Sequence, residues 1–220
     1  MKALVFDVYG TLFDVGSMME VCRTIVPEPE ALVAGWRAKQ LDYAFWRSLM
    51  GRYVDFWQVT EEALRYTLKR HGLTIPEEER KHLLEAWLHL QPFPEVRAAL
   101  TNLKQYKRVI LSNGSPSMLD TLLKNTGLQA EFDAVLSVDA VKIYKPAPRV
   151  YELALQHLGV AREEIGFLSA NGFDVAGAKA FGFTVYWVNR TGAVLDELGI
   201  APDATVQSLA EVASLSRSVL

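Results

Sequence analysis

Ala3-Leu-Val-Phe6 runs straight into Asp7-Val-Tyr-Gly-Thr-Leu12, so an apolar stretch stops on an acid and a glycine-containing turn. A short apolar run bounded by a turn reads as a buried strand. The end of such a strand is where a doubly wound sheet meets its ligands. The second half of the chain repeats the pattern in Val109-Ile-Leu-Ser112, Ala134-Val-Leu-Ser-Val138, Ile165-Gly-Phe-Leu-Ser169 and Thr184-Val-Tyr-Trp-Val188. None of these runs alternates polar with apolar, as expected of strands covered on both faces. Helix signals separate them. Ser115-Pro116 supplies a cap and a first-turn proline, Leu119, Leu122 and Leu123 form an apolar face, and Gly127 is a stop. Further helices are expected over 149–158, before Gly159, and over 174–181, before Gly182. Strands alternating with helices imply an α/β fold on a parallel, doubly wound, Rossmann-like sheet.

Residues 15–91 break that rhythm. They contain no strand-like run, whereas Leu41, Phe45 and Leu49 share one helical face, Leu64 and Leu68 a second, and Leu83, Leu84, Trp87 and Leu88 a third. Gly72 and Pro76 punctuate the last two helices. The expected organisation is therefore a core domain from 1–14 and 92–220 with an all-helical cap domain, 15–91, inserted after the first strand.

Composition narrows the function. Of 220 residues, 50% are apolar and 22% charged, the balance of a folded chain. Lysine and arginine total 23 against 26 acids, a net charge of −3. That balance supplies no field for a phosphate backbone, and no nucleic-acid partner is expected. No segment approaches the ~20 apolar residues of a membrane span, and the first apolar run is too short for a signal-peptide core. A cytoplasmic protein without membrane contact is the expectation. The single cysteine, Cys22, has no partner for an internal disulfide and reads as packing. His71, His82, His89 and His157 form no zinc-binding spacing.

Polar groups stand at three expected strand ends, in Asp7-Val-Tyr-Gly-Thr-Leu12, Ser112-Asn-Gly-Ser115 and Ser169-Ala-Asn-Gly-Phe-Asp174, and Lys142-Ile-Tyr-Lys-Pro146 follows a fourth strand. In this order, with a helical insertion after the first, they resemble the four motifs of the haloacid dehalogenase superfamily. The resemblance covers nearly the whole chain. Phosphatases of that superfamily carry a second Asp two residues after the nucleophile, which protonates the departing alkoxide and helps to hold Mg²⁺. Here that position is Tyr9, and Ala170 stands where the fourth motif has its first acid. A halide leaves as the anion of a strong acid and needs no proton, so the lost general acid costs that reaction nothing. The chain is most similar to the L-2-haloacid dehalogenase branch, whose first motif reads Asp-x-Tyr-Gly-Thr and whose cap carries Trp-Arg-x-x-Gln-Leu, here Trp36-Arg-Ala-Lys-Gln-Leu41.

The resemblance implies hydrolysis of short L-2-haloacids to D-2-hydroxyacids and halide, with no metal and no cofactor. It makes Asp7 the nucleophile, Lys145 its cationic neighbour and Thr11 a brace for the turn. Ser112, with backbone N–H groups beyond Asp7 and at Asn113, receives the substrate carboxylate, and Arg37 with Asn113 receives the halide. Tyr9, Leu41 and Phe56 wall the pocket. Asp174, aided by Asn171 and Ser169, directs water at the ester; on sequence alone Asp174 is equally a helix N-cap. Tyr151 is placed either at the site's edge or in the core, and Phe173 stands where the branch commonly has Trp. Partners implied are a small-molecule haloacid, halide ion and a second copy in a homodimer. Two other readings stay open: a small-molecule phosphatase with an altered site, and a catalytically silent binding protein.

Overall fold

The computed structural model describes residues 1–215. In chain order run β1 (Ala3–Phe6), β2 (Phe13–Asp14), α1 (Met19–Arg23), α2 (Pro29–Leu49), α3 (Phe56–Arg70), α4 (Glu77–Glu85), β3 (Gln91–Pro92), α5 (Val96–Asn102) and β4 (Lys107–Ser112). They continue with α6 (Pro116–Thr126), β5 (Ala134–Ser137), α7 (Pro148–Leu158), β6 (Ile165–Ser169), α8 (Gly172–Phe181), β7 (Thr184–Val188), β8 (Ala204–Val206) and α9 (Leu209–Leu215). Six strands form one sheet in the order β5-β4-β1-β6-β7-β8, every neighbouring pair parallel.

This order makes β1 central, with β4 on one side and β6 on the other. The chain fills the sheet outward from β1 in one direction, then restarts at β6 in the other, so the crevice beside β1 is the topological switch point. All four residues of β1 are buried. The carboxyl ends of β1, β4 and β6 therefore lie side by side and deliver Asp7, Ser112 and Ser169 to one place. Helices α1 to α4 run between β2 and β3, which pair antiparallel where the chain leaves and rejoins the sheet layer.

The five apolar runs coincide with β1, β4, β5, β6 and β7. Strands β2, β3 and β8 have only two or three residues each, too few to leave a periodic signature. Gly127 and Gly159 end α6 and α7 at φ of 63° and 62°, a backbone region open to glycine at little cost.

Three local expectations are corrected. Helix α8 starts at Gly172 with Asn171 at its N-cap, so Asp174 lies inside the first turn and is not the cap. Ser115 does occupy the N-cap of α6, but its hydroxyl lies 3.3 Å from Ser117 Oγ and makes no capping bond to the backbone. On α2 the buried stripe is Leu32, Val33, Trp36, Gln40 and Ala44, whereas Leu49 is 87% exposed. The Leu41, Phe45, Leu49 face is thus not the one packed on α3. Gln40 takes a core position because both ends of its amide are hydrogen-bonded, which removes the penalty for burying it.

Behind the sheet's polar edge, Tyr151, Phe167, Phe181 and Phe183 pack ring against ring. Phe183 is 1% exposed. Phe183→Ala is expected to lower the unfolding free energy by about 3–5 kcal/mol, read by urea denaturation, with far-ultraviolet circular dichroism unchanged before the transition.

Candidate active site

The nucleophile expected from the sequence, Asp7, is 6% exposed at the end of β1 and is enclosed by donors. Its Oδ2 accepts hydrogen bonds from Thr11 Oγ1 and Asn171 Nδ2, each at 2.8 Å, with Ser169 Oγ at 3.5 Å. Its Oδ1 accepts from Lys145 Nζ at 3.0 Å. Thr11 Oγ1 in turn accepts the Ala170 N–H at 2.9 Å, and Asn171 Nδ2 also donates to the Tyr9 carbonyl at 3.0 Å. The turn after β1 and the start of α8 are thereby stitched to each other around the carboxylate.

Lys145 is 1% exposed and lies between two acids, donating to Asp174 Oδ2 at 2.8 Å as well as to Asp7. Burial pulls its ammonium toward the neutral form, but Asp174 and Asp7 outweigh that and leave its pKa above the ordinary lysine value. Asp174 is fully buried, and burial drives its carboxyl up to about 6 against the opposing pull of Lys145. Tyr151 OH donates to Asp174 Oδ1 at 2.8 Å, so Tyr151 stands beneath the site as a neutral donor, not at its edge. Burial, with the Asp174 charge, holds the Tyr151 phenol well above its usual range.

Asn113 Oδ1 accepts the Lys145 backbone N–H at 3.1 Å, which leaves Asn113 Nδ2 with no partner among the described residues. Ser112 Oγ accepts the Gly114 N–H at 3.1 Å and keeps its own proton to give. Tyr9 stacks on Phe56 and meets Trp87 edge-on, with centroids 5.8 and 5.4 Å away. Its hydroxyl is buried without a partner. Burial raises the Tyr9 phenol far above its ordinary value, Arg37 opposing and Asp7 adding to the shift. A Cβ at Gly114 would come within 2.9 Å of that hydroxyl, so a glycine is needed there to admit Tyr9.

Helix α2 contributes Arg37, partly buried, whose Nη1 donates to Gln40 Oε1 at 2.6 Å and whose guanidinium lies 5.9 Å from the Trp87 ring centre. Burial lowers the Arg37 pKa, with Asp7 and Tyr9 pulling it back up. Phe45 meets Phe173 edge-on at 5.1 Å, joining α2 to α8. Together with Leu49, Ile143 and Pro146 they line an apolar cavity of about 420 Å³ that reaches Lys145. Leu41 is half-buried on α2, one residue past Gln40, and has no polar role.

A family model described as a haloacid dehalogenase-like hydrolase matches residues 1–182. The chain belongs to that family. Within the haloacid dehalogenase-like hydrolases it is 48% identical over 217 residues to an (S)-2-haloacid dehalogenase of Pseudomonas sp. (strain YL), covering 97% of this chain and 94% of that one. It is 45% identical over 208 residues to haloacetate dehalogenase H-2 of Moraxella sp. (strain B), covering 93% of each. It also superposes at a TM-score of 0.93, with 42% identity and full coverage of both chains, on the L-2-haloacid dehalogenase from Xanthobacter autotrophicus with chloropropionic acid covalently bound.

Many haloacid dehalogenase-like hydrolases are expected to hold Mg²⁺ at this point of the sheet, and these donors do not fit it. A hard divalent ion needs about six oxygen ligands. Here the space between the Asp7 and Asp174 carboxylates is filled by the Lys145 ammonium, and residue 170 is Ala. Among the described residues no three His, Cys, Asp or Glu side chains converge.

Sequence reasoning missed Trp87, Gln40, Thr60 and Arg190 as parts of this site. Arg190, at the end of β7, donates to the carbonyls of Gly10 and Thr11 at 3.2 and 2.9 Å while pairing with Glu95 at 2.7 Å. It clamps the turn that carries Tyr9 and Thr11. Only Gln40 had a signal, as part of Trp36-Arg-Ala-Lys-Gln-Leu41.

The Tyr151 hydrogen bond favours the ionised form of Asp174. Tyr151→Phe is therefore expected to move Asp174 ionisation from about 6 to higher pH. Carbon-13 NMR titration of the carboxyl reads the shift, and an unmoved or lower midpoint contradicts the assignment.

Proposed function

We propose that the protein hydrolyses short L-2-haloacids to D-2-hydroxyacids and halide by way of an ester on Asp7. The observation that carries this reading is the Lys145 ammonium seated between Asp7 and Asp174, with Tyr9 where a phosphatase would keep its proton donor. The relatives named as (S)-2-haloacid and haloacetate dehalogenases support the substrate class.

In the first step an Asp7 carboxylate oxygen attacks the carbon bearing the halogen from the side opposite the halide. A carbon–oxygen bond forms, the carbon–halogen bond breaks with its electron pair on the halide, and the carbon inverts. The substrate carboxylate is taken by Ser112 Oγ–H and by backbone N–H groups of the turns after β1 and β4, non-nucleophilic donors aimed into the crevice. The halide moves toward Arg37 and Asn113 Nδ2. Tyr9, Leu41 and Phe56 keep water from screening these charges, and Tyr9 has a free hydroxyl to give to an anion.

Water then attacks the carbonyl carbon of the ester. Asp174 takes its proton and returns it to the departing alkoxide as the acyl–oxygen bond breaks, Asn171 and Ser169 orient the carbonyl, and the regenerated Asp7 carboxyl releases its proton to solvent. The product oxygen is thus the original carboxylate oxygen, and Asp7 acquires one from water. Lys145 stays protonated throughout and offsets the charge of whichever carboxylate is ionised.

The division into a core, 1–14 with 92–220, and a cap, 15–91, belongs to this proposal, with α1 to α4 supplying the halide side. Homodimeric assembly does too, supported by the exposed Trp46, Leu49 and Met50 near the end of α2. A cytoplasmic location is supported by one buried cysteine without a disulfide partner. Among the described residues no helix is long and apolar enough to cross a membrane.

Halide release from L-2-chloropropionate in EDTA tests the reading. Asp7→Asn is expected to abolish release while the far-ultraviolet circular dichroism stays that of the parent. A single turnover in ¹⁸O-water should label Asp7 and leave the first product unlabelled. Release that requires added Mg²⁺, or undiminished release by Asp7→Asn, overturns it.

A further inference from the structure

Arg37 differs from the other buried-side cation of the site in what it is bonded to. Lys145 faces two carboxylates, whereas the hydrogen bond of Arg37 goes to a neutral amide, Gln40 Oε1, at 2.6 Å. That amide is itself fixed. Gln40 Nε2 donates to Thr60 Oγ1 at 2.7 Å, and Thr60 Oγ1 donates to the Phe56 carbonyl at 2.6 Å. Trp36 Nε1 donates to the Thr60 carbonyl at 2.8 Å, pinning the same residue from its backbone. Trp36, Gln40 and Thr60 are each fully buried.

The chain of bonds has one direction. A hydroxyl has a single proton, and that of Thr60 is committed to Phe56, so its oxygen accepts from Gln40. The amide must then turn its NH₂ to Thr60 and its oxygen to Arg37. A flipped amide would set NH₂ against a guanidinium and leave Thr60 Oγ1 facing an oxygen with no proton between them.

We infer that Gln40 and Thr60 are positioning residues for halide departure: they hold the Arg37 guanidinium in place with an uncharged acceptor, so that no hydrogen-bonded carboxylate competes with the leaving halide for it. The inference rests on the reading of Arg37 as the halide acceptor. A carboxylate at residue 40 would hold the arginine as firmly, but would compete with the halide for it. Neutrality of the acceptor is therefore the functional property, and it depends on a threonine on α3 that touches neither Arg37 nor the substrate.

The test measures kcat and KM for L-2-bromopropionate, inhibition by added bromide, and thermal melting, for Arg37→Ala, Thr60→Val, Thr60→Ser and Gln40→Glu. Thr60→Val is expected to lower kcat and raise the bromide inhibition constant by roughly tenfold, the scale of the Gln40 hydrogen bond to the charged Arg37 that Thr60 orients. KM should hold, since the interaction matures as the halide leaves. Thr60→Ser, which keeps the hydroxyl, should restore most of both. Gln40→Glu, which keeps the contact to Arg37 but loses the donor to Thr60, should melt no lower than Thr60→Val and yet lose kcat and bromide inhibition. A role limited to holding Arg37 predicts parental kcat and bromide inhibition, because the carboxylate preserves that contact. If Thr60→Val does not fold, Gln40→Glu decides alone. Parental kcat and bromide inhibition in Thr60→Val and Gln40→Glu, alongside their loss in Arg37→Ala, would overturn the relay and leave the role of Arg37 standing. Their retention in Arg37→Ala would overturn both.

Discussion

Two carboxylates and one ammonium lie together in the interior, and the site is organised to make that arrangement tolerable. Lys145 contacts Asp7 at 3.0 Å and Asp174 at 2.8 Å, and its side chain is 1% exposed. Removing one partner of a buried ion pair leaves an uncompensated charge and typically costs about 3–5 kcal/mol. With two acids and one base the cluster still carries an excess negative charge, and neutral donors take up the remainder. Thr11 and Asn171 serve Asp7, and Tyr151 serves Asp174. The raised pKa of Asp174 expresses the same excess, because burial and a second carboxylate make its proton harder to remove.

The parallel sheet is what gathers these groups from distant parts of the chain. Asp7 follows β1, Asn171 and Asp174 open α8 after β6, and Lys145 comes from the segment between β5 and α7. Because β4, β1 and β6 are neighbours in register, no long side chain is needed to span the site except lysine itself. The face that α2 and α3 turn to the site is built on different physics. There Tyr9, Phe56, Trp87 and Trp36 make a continuous aromatic layer, and a single charged group, Arg37, is threaded through it.

Much of the core was legible because burial on both faces leaves unbroken apolar runs, which is why β1, β4, β5, β6 and β7 were found close to their observed bounds. Asp7, Lys145 and Asn171 were legible as strand-end residues in an ordered set of motifs. Asp174 was ambiguous because an acid near a helix start suits a cap as well as a site carboxylate; the start of α8 at Gly172, with Asn171 as its N-cap, removes the cap reading. The buried face of α2 was misjudged because its central residue is Gln40, and an amide satisfied at both ends is indistinguishable by pattern from an exposed one. Leu49 misled for the opposite reason, being apolar and exposed. Thr60 carried no signal at all, since its importance lies in which way a proton points. Strands of two or three residues leave no period to detect.

The Arg190 clamp separates the extent of a recognisable motif set from the extent of the working unit. The family model stops at residue 182, and every motif residue lies before that point. Yet the guanidinium that grips the Gly10 and Thr11 carbonyls sits beyond it, in the turn just past β7, the strand that closes the flank of β6. A fragment trimmed to the matched region would retain all the chemistry-bearing side chains and lose the anchor for the loop beneath them. The minimal catalytic module of this chain is therefore longer than its recognisable signature.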